Sequence, residues 1–177
     1  MEVEGRKRWV VRFNDNDGVA ILMDEAANAR RHVTGEFEYE IDNLRQLNGF
    51  GELCAFGTHG GCFESIAVLA VDTDFFEDEL EGNGIQDSID GGVVDIASPL
   101  VVTDWAQYTF GNDTDESEAV QVTGERVEIP HGRYRVTIYR GYGATDEEPT
   151  DLYMIRFRST SDAPAELAEM PGNDGWF

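Results

Sequence analysis

Lysine is almost missing from this chain: Lys7 is the only one, and the other cationic side chains are arginines. From Gln46 to Glu125 there is neither Lys nor Arg. The 13 basic residues stand against 36 Asp and Glu, for a formal net charge of −23. A field of that sign repels phosphate backbones and anionic lipid and draws in cationic partners, which argues against direct nucleic-acid or membrane binding. Cysteine is scarce as well, and Cys54 and Cys62 are too few for a disulfide scaffold. No window approaches the ~18 apolar residues of a membrane span. Met1 to Phe13 has basic residues but no apolar stretch behind them, so the expected location is the cytoplasm. There is no P-loop, no G-x-G-x-x-G and no G-x-S-x-G around Ser65. The chain therefore lacks the familiar sequence devices of nucleotide binding and serine hydrolysis.

What is present is a chain of 177 residues, 41% apolar, enough for one buried core. Arg8–Phe13 has the β-branched and aromatic content of a strand. Asn14–Gly18 has turn chemistry, and Val19–Met23 follows as the return strand of a hairpin. Asp24 can cap a short helix near 24–33. Glu36–Ile41 alternates, with Phe37, Tyr39 and Ile41 on one face and glutamates on the other. Glu52–Phe56 and Cys62–Val71 flank the turn Gly57–Gly61. Val93–Ile96, Leu100–Thr103, Arg126–Ile129, Arg133–Tyr139 and Leu152–Arg158 supply further strands. The expected fold is mainly β: a β-sandwich-like domain or partly open barrel of short antiparallel strands with one short helix. One domain would span 1–158, with 159–177 as a C-terminal tail holding a weak helix near Glu166.

The acids cluster in two predicted loops, Asp72–Gly92 and Gly111–Glu118. Crowded like charges repel, so such loops suit a surface that docks on a basic protein. The candidate partner-binding residues are Asp72, Asp74, Glu77, Asp78, Glu79 and Glu81, with Asp113, Asp115 and Glu116 second. The arginines have a pattern of their own. Arg133 and Arg135 share a strand face, as do Arg156 and Arg158, and a hairpin of the two strands would line up all four. Such a row could hold a small anion. Cross-strand pairing with the protein's own carboxylates fits the acid excess better.

Other constellations are weaker. Asp15, Asp17, Gly18 and Asp24 fall at EF-hand-like spacing, but Phe13 stands where the first ligand belongs, and a turn explains them better. Cys54, His59 and Cys62, with His131 elsewhere, could hold zinc only with a fourth ligand assumed. The cysteines lie on predicted strands among apolar residues, where thiols are buried rather than reactive. His59 and His131 sit in glycine-bearing turns. No catalytic residue and no cofactor is assigned.

Val127-Glu128-Ile129-Pro130-His131-Gly132-Arg133-Tyr134-Arg135-Val136-Thr137-Ile138, followed by Leu152-Tyr153-Met154-Ile155-Arg156-Phe157, resembles the final hairpin of competence protein J-like (ComJ-like) bacterial proteins. Gly60-Gly61-Cys62-Phe63-Glu64-Ser65-Ile66 is similar to a glycine-rich hairpin of the same set. The resemblance implies a β-sandwich that binds a protein, of the nuclease-inhibitor or immunity type, rather than an enzyme. The expected partner is a basic protein such as a nuclease or toxin. Two alternatives stand beside this reading. One is a habitat-acidified, halophile-type subunit whose function is unrelated to its charge. The other is a metal-dependent enzyme using Cys54, His59, Cys62 or the acidic loops.

Overall fold

The computed structural model describes residues 8–15, 18–27, 48–58, 62–85, 87–104, 124–143, 150–168 and 171–172. The strands, in chain order, are β1 (Arg8–Asp15), β2 (Val19–Asp24), β3 (Leu53–Gly57), β4 (Cys62–Val71), β5 (Asp87–Ile96), β6 (Leu100–Asp104), β7 (Glu125–Val127), β8 (Gly132–Gly143) and β9 (Thr150–Ser159). A six-residue helix, α1 (Glu77–Gly82), lies between β4 and β5. Helical residues also occur at 25–27 and 48–49. No helix among the described residues is long and apolar enough to cross a membrane.

The strands form two sheets, a five-stranded one of order β1-β4-β9-β8-β5 and a four-stranded one of order β3-β2-β6-β7. Their inner faces meet in one core. Val11, Phe13, Leu69, Val94, Tyr134, Ile138, Tyr153, Ile155 and Phe157 come from the larger sheet, and Leu22, Phe56, Leu100, Val102 and Val127 from the smaller. Alternation along β8 and β9 puts every second residue into this layer. The rings of Phe56 and Tyr153 meet edge to face at 5.4 Å, and those of Tyr134 and Phe157 at 6.0 Å. The Tyr134 hydroxyl donates to the Pro130 carbonyl at 2.6 Å and fastens the turn before β8 to this core. Both faces of β2, β3 and β6 are buried.

The mainly β, sandwich-like architecture agrees with the sequence, and the arrangement differs in detail. The two sheets do not close into a barrel. Strands β1 and β2 are not a hairpin: β1 pairs with β4, whereas β2 pairs with β3 and β6 in the other sheet. The same turn chemistry serves a corner between sheets as well as a hairpin. Not every pair is antiparallel, because β4 and β9 run parallel with Leu69 opposite Ile155. The 72–92 stretch is not one loop: it contains α1 and the first half of β5. Helix does form after Asp24, over 25–27, while 28–33, the 36–41 strand and the 111–118 loop lie outside the described residues. Among the described residues no helix forms around Glu166. Residues 160–167 run without regular structure and lie against the body, with Leu167 at Gly92 and Pro164 at Gly51.

Candidate protein-docking site

On β8 and β9 the residues that point away from the core are Arg133, Arg135, Thr137 and Tyr139 on one strand and Met154, Arg156 and Arg158 on the other. The register sets Arg135 opposite Arg158 and Thr137 opposite Arg156. The four arginines thus do share one face, and each is met by a carboxylate of this chain. Arg133 grips Asp95 with two parallel bonds, Nε to Oδ1 at 2.6 Å and Nη2 to Oδ2 at 2.9 Å. Arg135 contacts Asp90 at 2.7 Å and Asp162 at 3.1 Å. Arg156 and Arg158 converge on one oxygen of Asp74, at 2.8 and 2.5 Å. The two arginines hold the Asp74 carboxyl below the ordinary carboxylate range, Arg158 more strongly than Arg156.

Asp74 belongs to a strap, residues 72–85, that crosses this outer face. Its underside is apolar. Phe75 is buried against Ala70 and Met154, with Leu80, Ile85, Val68, Leu152 and Tyr139 around them, making a second, smaller core outside the sandwich. The Phe75 and Tyr139 rings meet edge to face at 5.8 Å. From β1, the Arg8 guanidinium lies 4.9 Å above the Phe75 ring. Arg8 also donates to Glu79 Oε1 at 2.6 Å and to the Asp74 carbonyl at 2.9 Å. At the strap's start, Asp72 accepts the Ser159 N–H and hydroxyl, both at 2.7 Å.

Helix α1 is finished at both ends by its own sequence. Glu79 reaches back to the Phe76 N–H at 3.4 Å, and three acids in the first turn favour the helix dipole. At the other end Gly84 takes φ +66. Its N–H donates to the Glu81 carbonyl at 3.0 Å, and the Ile85 N–H to the Leu80 carbonyl at 3.0 Å. This paired cap brings Ile85 onto Leu80, as its hydrophobic contact requires. Where the end of the helix crosses β8, the residue beneath is Gly141. A methyl there would stand 2.6 Å from the Asn83 carbonyl oxygen and 2.7 Å from Ile85 Cδ1.

The six carboxylates singled out in the first acidic segment therefore divide. Asp72, Asp74 and Glu79 are engaged with Ser159, Arg156, Arg158 and Arg8 and fasten the strap. Glu77, Asp78 and Glu81 are exposed on α1 beside Phe76, which is 53% exposed. Asp113, Asp115 and Glu116 lie outside the described residues. Sequence reasoning missed Arg8 and Gly141 as parts of this arrangement. The Gly84-Ile85 pair, a glycine followed by an apolar residue four and five positions after Leu80, was the available signal for α1.

The other candidates fall elsewhere. The Cys54 side chain is fully buried in the main core, where it packs as a small apolar group, and burial with the nearby Asp90 charge pushes its thiol up. No group of three His, Cys, Asp or Glu able to hold a metal occurs among the described residues. The His59, Asp17 and Cys62 side chains lie outside them. Asp15 and Asp24 do not converge on a loop. Asp15 is buried under Thr58 and Ser65, at 2.6 and 3.3 Å. Asp24 turns to the main-chain N–H groups of Ala27, Ala97 and Ser98.

No protein-family model matches the sequence, and no curated protein matches it. Solved structures do match in shape. The crystal structure of ComJ from Bacillus subtilis, an inhibitor of the DNA degrading activity of NucA, superposes with a TM-score of 0.51 at 10% identity, covering 90% of this chain and 100% of that one. The product of crocagin biosynthetic gene J superposes with a TM-score of 0.51 at 16% identity, covering 86% of this chain and 97% of that one. At such identities the likeness is one of fold: across most of its length, this chain is similar in architecture to ComJ.

Proposed function

We propose that the protein is a non-catalytic, cytoplasmic inhibitor, of the immunity or nuclease-inhibitor kind, that docks carboxylates on a basic protein partner. The observation that carries this reading is the fixed presentation of Glu77, Asp78 and Glu81 around Phe76 on a strap clamped by Arg8, Arg156 and Arg158. Ordering a charged loop on binding costs entropy, and a surface ordered beforehand avoids that cost. Carboxylates so placed steer a cationic partner into encounter, and an exposed aromatic adds apolar contact. The fold likeness to an inhibitor of a nuclease supports the reading. In it, Asp72, Asp74 and Glu79 position the strap, the other three touch the partner, and Asp113, Asp115 and Glu116 extend the contact. A nuclease groove lined by Arg and Lys is the matching surface.

The test is inhibition of DNA degradation by small basic nucleases, with NucA as the first probe. The triple variant Glu77→Lys/Asp78→Lys/Glu81→Lys is expected to slow association by about tenfold or more and to flatten its salt dependence. Association unchanged by that variant would remove the strap from the interface. A second reading also has an observation behind it. Unpaired acids are not confined to the strap, since among the described residues Glu125 and Glu128 are exposed without an ion pair. Acidity spread in this way suits a protein adapted to a salt-rich interior.

A further inference from the structure

Strand β1 borders the five-stranded sheet and β7 borders the four-stranded one. Two recesses run along these borders. One, of ≈ 430 Å³, is walled by Trp9–Arg12 and Glu125–Glu128. The other, of ≈ 440 Å³, continues from Arg12 to Asn14 and shares Glu125. Together they make one groove beside β1. Consecutive residues wall it on both sides. A strand's faces alternate, so an unbroken run of residues borders a space only where the strand's edge, with its main-chain groups, looks into it. Among the described residues β1 pairs with β4 alone and β7 with β6 alone.

The charges in the groove are unequal. Arg12 is held by Glu64 at 2.6 Å and Arg126 by Glu25 at 2.5 Å. Glu125 and Glu128 have no ion pair among the described residues and are exposed. Val10, 70% exposed, and the half-buried Trp9 are apolar contacts on the β1 side. The groove thus combines main-chain edges, the apolar side chains of Trp9 and Val10, two arginines already paired and two carboxylates without an ion pair among the described residues. A second copy of this chain, itself carrying a charge of −23, is the wrong occupant.

We propose that the β1–β7 groove is a docking site, separate from the strap, for an extended lysine- or arginine-bearing segment of a protein partner that adds as a strand along β1. Main-chain pairing would provide the affinity, and Glu125 and Glu128 the selection for basic side chains. The site stands whether or not the protein inhibits a nuclease.

The probe is a fluorescein-labelled octapeptide, Lys-Val-Lys-Thr-Lys-Val-Lys-Thr, titrated by fluorescence anisotropy. Saturable binding is expected. It should weaken about tenfold with Glu125→Lys/Glu128→Lys, and about tenfold when alternate peptide nitrogens are methylated, because methylation removes strand hydrogen bonds and keeps the charge. The strap variant Glu77→Lys/Asp78→Lys/Glu81→Lys should leave it within about twofold, since those carboxylates belong to α1 and do not line the groove. Absence of saturable binding overturns the proposal. So does equal binding of the methylated peptide, which would mean charge attraction alone, or an equal loss with the strap variant, which would mean no defined groove.

Discussion

Two buried aspartates show how the same side chain is used in opposite ways. Burial pushes the Asp24 carboxyl up, but the N–H donors of Ala97, Ala27 and Ser98 outweigh burial and hold it below its ordinary value of 3.8. A lowered folded value means that Asp24 stabilises the fold above pH 3.8 and that this contribution fades as pH falls through the folded value. Asp24→Asn, which places an amide where an N–H acceptor is needed, should cost about 1–3 kcal/mol in urea unfolding at pH 7. The difference from wild type should shrink in acid. For Asp15 the sign reverses. Desolvation raises its carboxyl, the Thr58 hydroxyl opposes this, and the Asp151 and Asp104 charges add to the rise. Ionised Asp15 therefore strains the fold, and the stability it gives when protonated is lost as pH rises from 3.8 through the higher folded value. Asp15→Asn, still an acceptor for Thr58, should raise the urea midpoint at pH 7, with no gain below about pH 3.8. A fall at pH 7 would contradict this. Of these roles only the cap made by Asp24 could be read in the sequence, since it is local. Its bonds to Ala97 and Ser98 span a chain separation that no spacing rule covers.

Among the elements, the strap depends on close approach to β8. Gly141→Ala sets a methyl against the Asn83 carbonyl and Ile85, so α1 must lift. Overpacking of this kind costs about 1–3 kcal/mol. Hydrogen exchange should then speed up at Leu80 and Asn83–Ile85 while the centres of β8 and β9 stay protected. Uniform exchange across strap and sheet would mean the strap is not a separate layer. Strands β8 and β9 were legible because strict alternation, as in Tyr134-Val136-Ile138 against Arg133-Arg135-Thr137, identifies which residues share a face. Helix α1 was hidden in a run of acids whose charge resembles loop composition, although Phe75, Leu80 and Ile85 are the apolar residues that dock it.

At the scale of the whole molecule, charge and topology were unequally visible. The acid excess was plain from composition, and it poses the choice between partner docking and adaptation to salt. Melting in about 0.1 M and about 2 M KCl, with Debye lengths of ~10 Å and under ~3 Å, separates the two. A cooperative melt at low salt is expected, because the described arginines meet carboxylates throughout the outer sheet face. Folding confined to molar salt would favour habitat adaptation. Which strand sits beside which was not visible, because β1 and β2 follow one another in sequence yet join different sheets.

The parallel neighbour of β4 is β9, the last of the described strands and the middle one of its sheet. During synthesis, β4 and β8 must both wait with an open edge until Thr150–Ser159 leaves the ribosome. The larger sheet therefore forms by late insertion of its centre, a non-local step of the slow kind. A nascent chain stalled before Thr150 would expose two unpaired edges, which gives a holding chaperone something to recognise.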